Sequence, residues 1–188
     1  MKVKIKDEKD DEMTFTLENA EISFANAIRR TAMSRVKTFA ITSVVFYENT
    51  SSIFDEFIAN RLGLIPLTTP EDYDDDEEIT LTLEKQGPGT VLSGDIKTTD
   101  RRVGVALDNI PVIKLAEGQV LRVEAKAKVG NALDHARHQP GIISYDYDEK
   151  NEKFEFYVET FHNFKPSRMV AEAARILLEK TKELEDKI

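Results

Sequence analysis

Two histidines three residues apart, His135 and His138, follow Asp134 in the segment Leu133-Asp134-His135-Ala136-Arg137-His138-Gln139-Pro140. Imidazole nitrogens and a carboxylate are the ligands of a hydrolytic zinc centre, which keeps one position open for water. Such convergence needs a helical segment, and Gly130, Pro140 and Gly141 predict a loop. In a loop these histidines are packed or hydrogen-bonded. A second candidate is the acidic run at 71–78. Asp72, Asp74 and Asp76 have the spacing that opens a calcium loop. The sixth position of that motif needs glycine and holds Glu77; the twelfth needs glutamate and holds Leu83. The run therefore reads as solvated loop. Arg29-Arg30 and Arg101-Arg102 are paired bases without a glycine-rich turn beside them, and read as surface ion-pairing residues. There is no Gly-x-Ser-x-Gly elbow, no phosphate loop and no dinucleotide fingerprint. The chain has no cysteine, which removes thiolate nucleophiles, disulfides and thiolate metal sites together. No catalytic residue, no cofactor and no metal site is expected.

Composition narrows the class further. The formal net charge is -9, whereas phosphate backbones are bound through Lys and Arg, so tight nucleic-acid binding by this chain alone is not expected. No apolar run approaches the length of a membrane span. The first ten residues alternate lysine with Val or Ile and then turn acidic, without the apolar core of a signal peptide, so a cytoplasmic chain is expected.

The elements that position these residues follow from periodicity. Val3 and Ile5, then Met13, Phe15 and Leu17, alternate with polar residues and predict a hairpin. A helix is expected over 23–35, with Ser23 as N-cap and Phe24, Ala27, Ile28, Thr31 and Ala32 on one face. A strand is expected over 39–47. A second helix starts near Ser52, where Ser52 and Asp55 have capping-box spacing, and Gly63 is expected to end it in a left-handed conformation. Phe54, Phe57, Ile58 and Leu62 share its apolar face. Strands are expected at 79–83, 91–96, 120–129, 142–147 and 154–161. Pro166 opens a last helix, where a missing N–H costs nothing. Val170, Ala173 or Ala174, Leu177, Thr181, Leu184 and Ile188 recur along it. Some 22 residues make a rod of roughly 33 Å, longer than so small a domain needs for its own core. Part of that stripe is expected to face another chain.

Several segments in order carry a family resemblance. Phe24-Ala25-Asn26-Ala27-Ile28-Arg29-Arg30 resembles the first dimerisation helix of one RNA polymerase family. That family joins the archaeal D-type polypeptide, the eukaryotic third-largest subunit and the N-terminal domain of bacterial alpha. Asp55-Glu56-Phe57-Ile58-Ala59-Asn60-Arg61-Leu62-Gly63-Leu64-Ile65-Pro66-Leu67 resembles the family's most recognisable stretch. Ile110-Pro111-Val112-Ile113-Lys114-Leu115 with Gly118-Gln119, His135-Ala136-Arg137 with Pro140, and Val158-Glu159-Thr160 match three more segments. The Leu-Gly-Leu-Ile-Pro-Leu stretch, with no long C-terminal extension, favours the archaeal branch over bacterial alpha.

The resemblance implies an α+β fold in which a discontinuous dimerisation domain (1–44 plus 151–188), a sheet with two packed helices, carries an inserted β-rich domain (45–150). It implies a non-catalytic assembly platform for DNA-directed RNA polymerase. The chain would pair with subunit L through its end helices. The pair would then receive the second-largest and largest subunits, with small subunits N and P nearby. The implied interface residues are Phe24, Ala27, Ile28, Thr31, Val170, Ala174, Leu177, Thr181 and Leu184. Three departures from the family pattern stand out. Only 148–153 occupies the place where some relatives insert an iron–sulfur domain. His138 stands where eukaryotic relatives often have Trp, and His162 where relatives commonly have Gly. Two readings from other classes compete: a homodimeric regulator held by its helices, and a metal-dependent hydrolase built on Asp134, His135 and His138.

Overall fold

Met13, Phe15 and Leu17 alternate with polar residues, and burying one face of that segment requires neighbouring strands and a cover. The computed structural model describes all of residues 1–188. In chain order the elements are β1 (Lys2–Glu8), β2 (Glu12–Glu18), α1 (Ile22–Ser34), β3 (Thr38–Asn49), α2 (Asp55–Gly63), β4 (Glu78–Gln86), β5 (Gly89–Leu92), β6 (Lys97–Thr98), β7 (Pro111–Leu115), β8 (Val120–Gly130), β9 (Gly141–Asp148), β10 (Lys153–Thr160) and α3 (Pro166–Glu185). The fold is α+β, with antiparallel sheets throughout. It divides into two compact units, Met1–Lys37 with Asn131–Ile188, and Thr38–Gly130.

The first unit is a sheet in the order β1-β2-β10-β9, packed against α1 and α3. Phe15 on β2 and Phe156 on β10 are cross-strand partners, and their rings stack with centroids 4.7 Å apart. Phe154, Val158 and Ile143 complete the sheet's buried face. Burying each large side chain contributes roughly 1.5–3 kcal/mol. Above them the helices present Ala25, Ala32, Met169 and Ala173, and the small alanines allow the helices to approach closely. Gly141 opens β9 where a Cβ would lie 2.1 Å from the Glu159 carbonyl oxygen, so only glycine fits. His162 has φ 58°, keeping the left-handed backbone that glycine adopts without strain. Its Nε2 lies 3.3 Å from an Asp11 carboxylate oxygen.

The second unit is built on a sheet in the order β3-β8-β4-β6, with β5 and β7 as a separate pair. Phe39, Ile41, Leu81, Leu83, Leu121 and Val123 form its inner face. They pack in one cluster with Ile58 and Leu62 of α2, the following Ile65 and Leu67, and Val91 and Leu115.

The compact units divide at 37/38 and 130/131, beside domain bounds expected at 44/45 and 150/151. β3 runs unbroken from Thr38 along β8 to Gly130, and β9, read as part of the middle, pairs with β10 over its whole length. Several expectations change. Ser23 lies inside α1; the N-cap is Glu21, without a side-chain hydrogen bond. The expected Ser52–Asp55 box does not form. Phe54 is the N-cap of α2, and the Asp55 carboxylate instead accepts from Asn49 Nδ2 at 2.7 Å. Gly63 lies within the helix and does not adopt positive φ. The strand expected over 91–96 breaks at a 3-10 turn, Ser93–Asp95. Pro166 does open α3, at its first turn.

Candidate protein-docking site

A helix packed on a sheet buries one stripe, and α3 does so only in its first half. Pro166, Met169 and Ala173 are its buried residues, with Val170 and Ile176 packed at the margin of the core. From 178 to 188 every residue is exposed. Leu178 is 55% exposed and Leu184 60%. Ala174, Leu178, Thr181 and Leu184 recur every three or four residues, so they form one stripe, and Ile188 follows beyond the helix end at Glu185. The Thr181 hydroxyl donates back to the Leu177 carbonyl at 2.9 Å, so its one donor is used within the helix. Glu172 and Arg175 form an ion pair beside the stripe. On α1, Phe24 is also exposed.

The nine interface residues expected from sequence therefore separate into three groups. Phe24, Ala174, Thr181 and Leu184 are exposed. Ala27, Val170 and Leu177 are half-buried, and Ile28 and Thr31 are buried in the chain's own fold. Leu178 is not among the nine. A seam drawn through 177, 181 and 184 passes one residue beside it, and periodicity alone does not choose between the two registers.

The second unit carries its own exposed apolar surface. Phe54 and Phe57, expected to face the core with Ile58 and Leu62, point outward at 72% and 65% exposure. Their ring centroids are 6.5 Å apart. They flank a groove of about 730 Å³ that Pro111 and Ile113 line from β7. Arg61 Nη2 donates to the Pro111 carbonyl at 2.6 Å and ties α2 to β7.

The residues read as candidates for chemistry sit elsewhere. His135 is exposed, and its Nδ1 accepts from both the backbone N–H and the Nε of Arg137 at 3.1 Å. His138 is buried. Asp134 is exposed. No group of three or more His, Asp or Glu side chains is placed to hold a metal ion. The acidic run is organised by Arg102, which pairs with Glu77 and Asp100 and donates from Nη1 to the Asp72 carbonyl at 3.2 Å. No helix is long and apolar enough to cross a membrane.

The family model of the RNA polymerase Rpb3/RpoA insert domain matches residues 44–147, from within β3 to within β9. DNA-directed RNA polymerase subunit Rpo3 of Methanocaldococcus jannaschii is 45% identical over 170 residues, covering 90% of this chain and 86% of that protein. The chain belongs to the Rpo3 family. Rpo3 of Pyrococcus furiosus is 49% identical over 154 residues, 78% of this chain and 59% of that protein. Rpo3 of Thermococcus kodakarensis is 48% identical over 151 residues, 77% of this chain and 58% of that protein. The chain thus spans less than two thirds of the length of these two relatives. Within the family match lie Phe54, Phe57 and Arg61; α1 and α3 lie outside it.

Proposed function

We propose that this chain is a non-catalytic subunit of a DNA-directed RNA polymerase and that its work is assembly. It pairs with a small partner, subunit L, along the stripe of α3 and the exposed end of α1. The pair then receives the second-largest and the largest subunits, with subunits N and P nearby. Family membership supports the first statement. The observation that carries the second is the distal half of α3: an amphipathic helix extends past its own core with Leu178 and Leu184 in water. Helices in folded proteins owe most of their stability to packing an apolar face, and here part of that packing is left for another chain. In this reading Phe24, Ala27, Ala174, Leu177, Leu178, Thr181 and Leu184 meet the partner. Ile28, Thr31 and Val170 brace the helices from within.

Leu178→Asp and Leu184→Asp test it. Both positions are exposed in the chain alone, so folding is unaffected. Each change loses roughly 1.5–3 kcal/mol of apolar burial at the interface and sets a carboxylate in an apolar seam, with further desolvation cost. Each is expected to weaken pairing at least about a hundredfold. Co-expression with subunit L, pull-down and light scattering measure the outcome, with Asp74→Ala plus Asp76→Ala as the control that keeps wild-type pairing. Wild-type retention of the partner by both leucine variants removes the stripe from the interface. A dimeric mass for the chain alone, abolished by the same variants, establishes the homodimeric regulator instead.

A further inference from the structure

The sheet of the first unit ends at β1, and this edge is left unfinished. No strand lies along its outer side, and all its residues are exposed. Its side chains alternate between the two faces of the sheet. Val3 and Ile5 pair across the ladder with Leu17 and Phe15, both buried. They therefore lie on the core side of the sheet, yet Val3 is 60% exposed and Ile5 50%. On the other face stand Lys2, Lys4 and Lys6. Lys6 is paired with Glu155. Lys2 and Lys4 form no ion pair, although Glu18 is the cross-strand neighbour of Lys2. In a chain of net charge -9 this edge is a local reversal of sign.

We propose that β1 accepts an added β-strand from another protein chain, an extended segment that alternates carboxylates with apolar side chains. The carboxylates meet Lys2 and Lys4 on one face, and the apolar residues cover Val3 and Ile5 on the other. Backbone hydrogen bonds along the free edge supply affinity, and the alternating side chains supply selectivity. The same lysines argue against a second copy of this chain: pairing β1 with β1 sets lysine beside lysine, and like charges directly opposite are destabilising. Lysine on an exposed edge generally discourages such self-association. Edge protection alone does not call for two β-branched residues left wet on the core face. The register is set as well. The ladder shifts between Ile5 and Asp7, and beyond the shift Asp7 and Glu8 repel further carboxylates. The acceptor segment is therefore 2–5. The inference does not depend on the pairing proposed for α3.

The test uses the full chain and a fluorescein-labelled, end-blocked octapeptide alternating Glu and Val, with a Lys–Val octapeptide as control. Anisotropy at low salt and amide hydrogen exchange are read together. The Glu–Val peptide is expected to bind and to slow exchange in 2–5 while leaving β9, the opposite edge, unchanged. Lys2→Glu with Lys4→Glu is expected to weaken that peptide about tenfold and to bring binding of the Lys–Val peptide instead. Unchanged exchange within β10 confirms that the variant stays folded. Equal protection by both peptides, protection of β9 in place of β1, no binding of the Glu–Val peptide, or self-association of the chain through β1 overturns the proposal.

Discussion

Arg102 shows how a single side chain gives shape to a segment that has none of its own. Its planar fork reaches both oxygens of Asp100 from Nε, the Glu77 carboxylate and a backbone carbonyl of the acidic run. Hydrogen bonds from the Arg102 side chain, then from its backbone N–H, hold the Asp100 carboxyl below the usual range. Asp100 and Glu77 in turn push the guanidinium pKa up. A carboxyl depressed in the native state stabilises above its unfolded value, about 4, and that contribution is lost as pH falls through the native value. Carboxyl NMR is expected to show Asp100 titrating below an ordinary aspartate, with amide exchange at 72–77 quickening once it is protonated. Arg102→Lys, which keeps the charge and loses the fork, is expected to quicken the same exchange at neutral pH. An ordinary Asp100 titration, or unchanged exchange in the variant, rejects the clamp. Sequence displays the acidic run and the paired arginines separately. It cannot join them, because their contact depends on how β4 and β6 return the chain. His138 is equally opaque: residue type gives a ligand, and only burial shows a packed side chain.

Among the elements, those with strong local codes are legible. The alternation of β2, β8 and β10 and the proline that opens α3 all follow from rules acting over a few residues. Elements fixed by distant partners are not. β7 begins with proline and pairs only with the short β5. Ser93 interrupts an apparent strand because its hydroxyl bonds the Leu107 carbonyl and accepts the Ile110 N–H at 3.0 Å. The face of α2 misleads for a related reason. Phe54 and Phe57 look like core by residue type, but the helix is short and only Ile58, Leu62 and Gly63 are buried. The start of α3 offers a prediction. Its Ser167 N–H donates to Glu8 Oε1 at 3.1 Å, from the far end of the chain. An anion at a helix N-terminus contributes about 0.3–1 kcal/mol, screened by salt. Glu8→Ala is expected to lower the thermal midpoint of the first unit by about 1–8 °C at low salt, and less in high salt. A midpoint unmoved at low salt removes Glu8 as a cap.

The whole molecule is one unit interrupted by another. Family resemblance implies that division; periodicity contributes the strand-rich middle and the long final helix, and strand pairing sets the limits of the compact units. Thr38–Gly130 has its own buried cluster, so a chain of those residues alone is expected to unfold cooperatively, with native-like protection of Leu81, Leu83, Leu121 and Val123. A fragment without protected amides shows that the insert depends on its host. The interruption also sets an order of events during synthesis. β2 needs β10 as its neighbour, yet Phe15 and Phe156 are roughly 140 positions apart, and loop-closure cost grows with the logarithm of that separation. Thr38 and Gly130, the first and last residues of the insert, are cross-strand partners. Once the insert folds, its two ends are adjacent and the effective loop shrinks to roughly 50 residues, easing closure by about 1 kcal/mol. On the ribosome the insert emerges ahead of β9, β10 and α3, which follow it in the chain. Until they arrive, Phe15 and Leu17 have no cover, and the nascent chain is most vulnerable to aggregation in that interval.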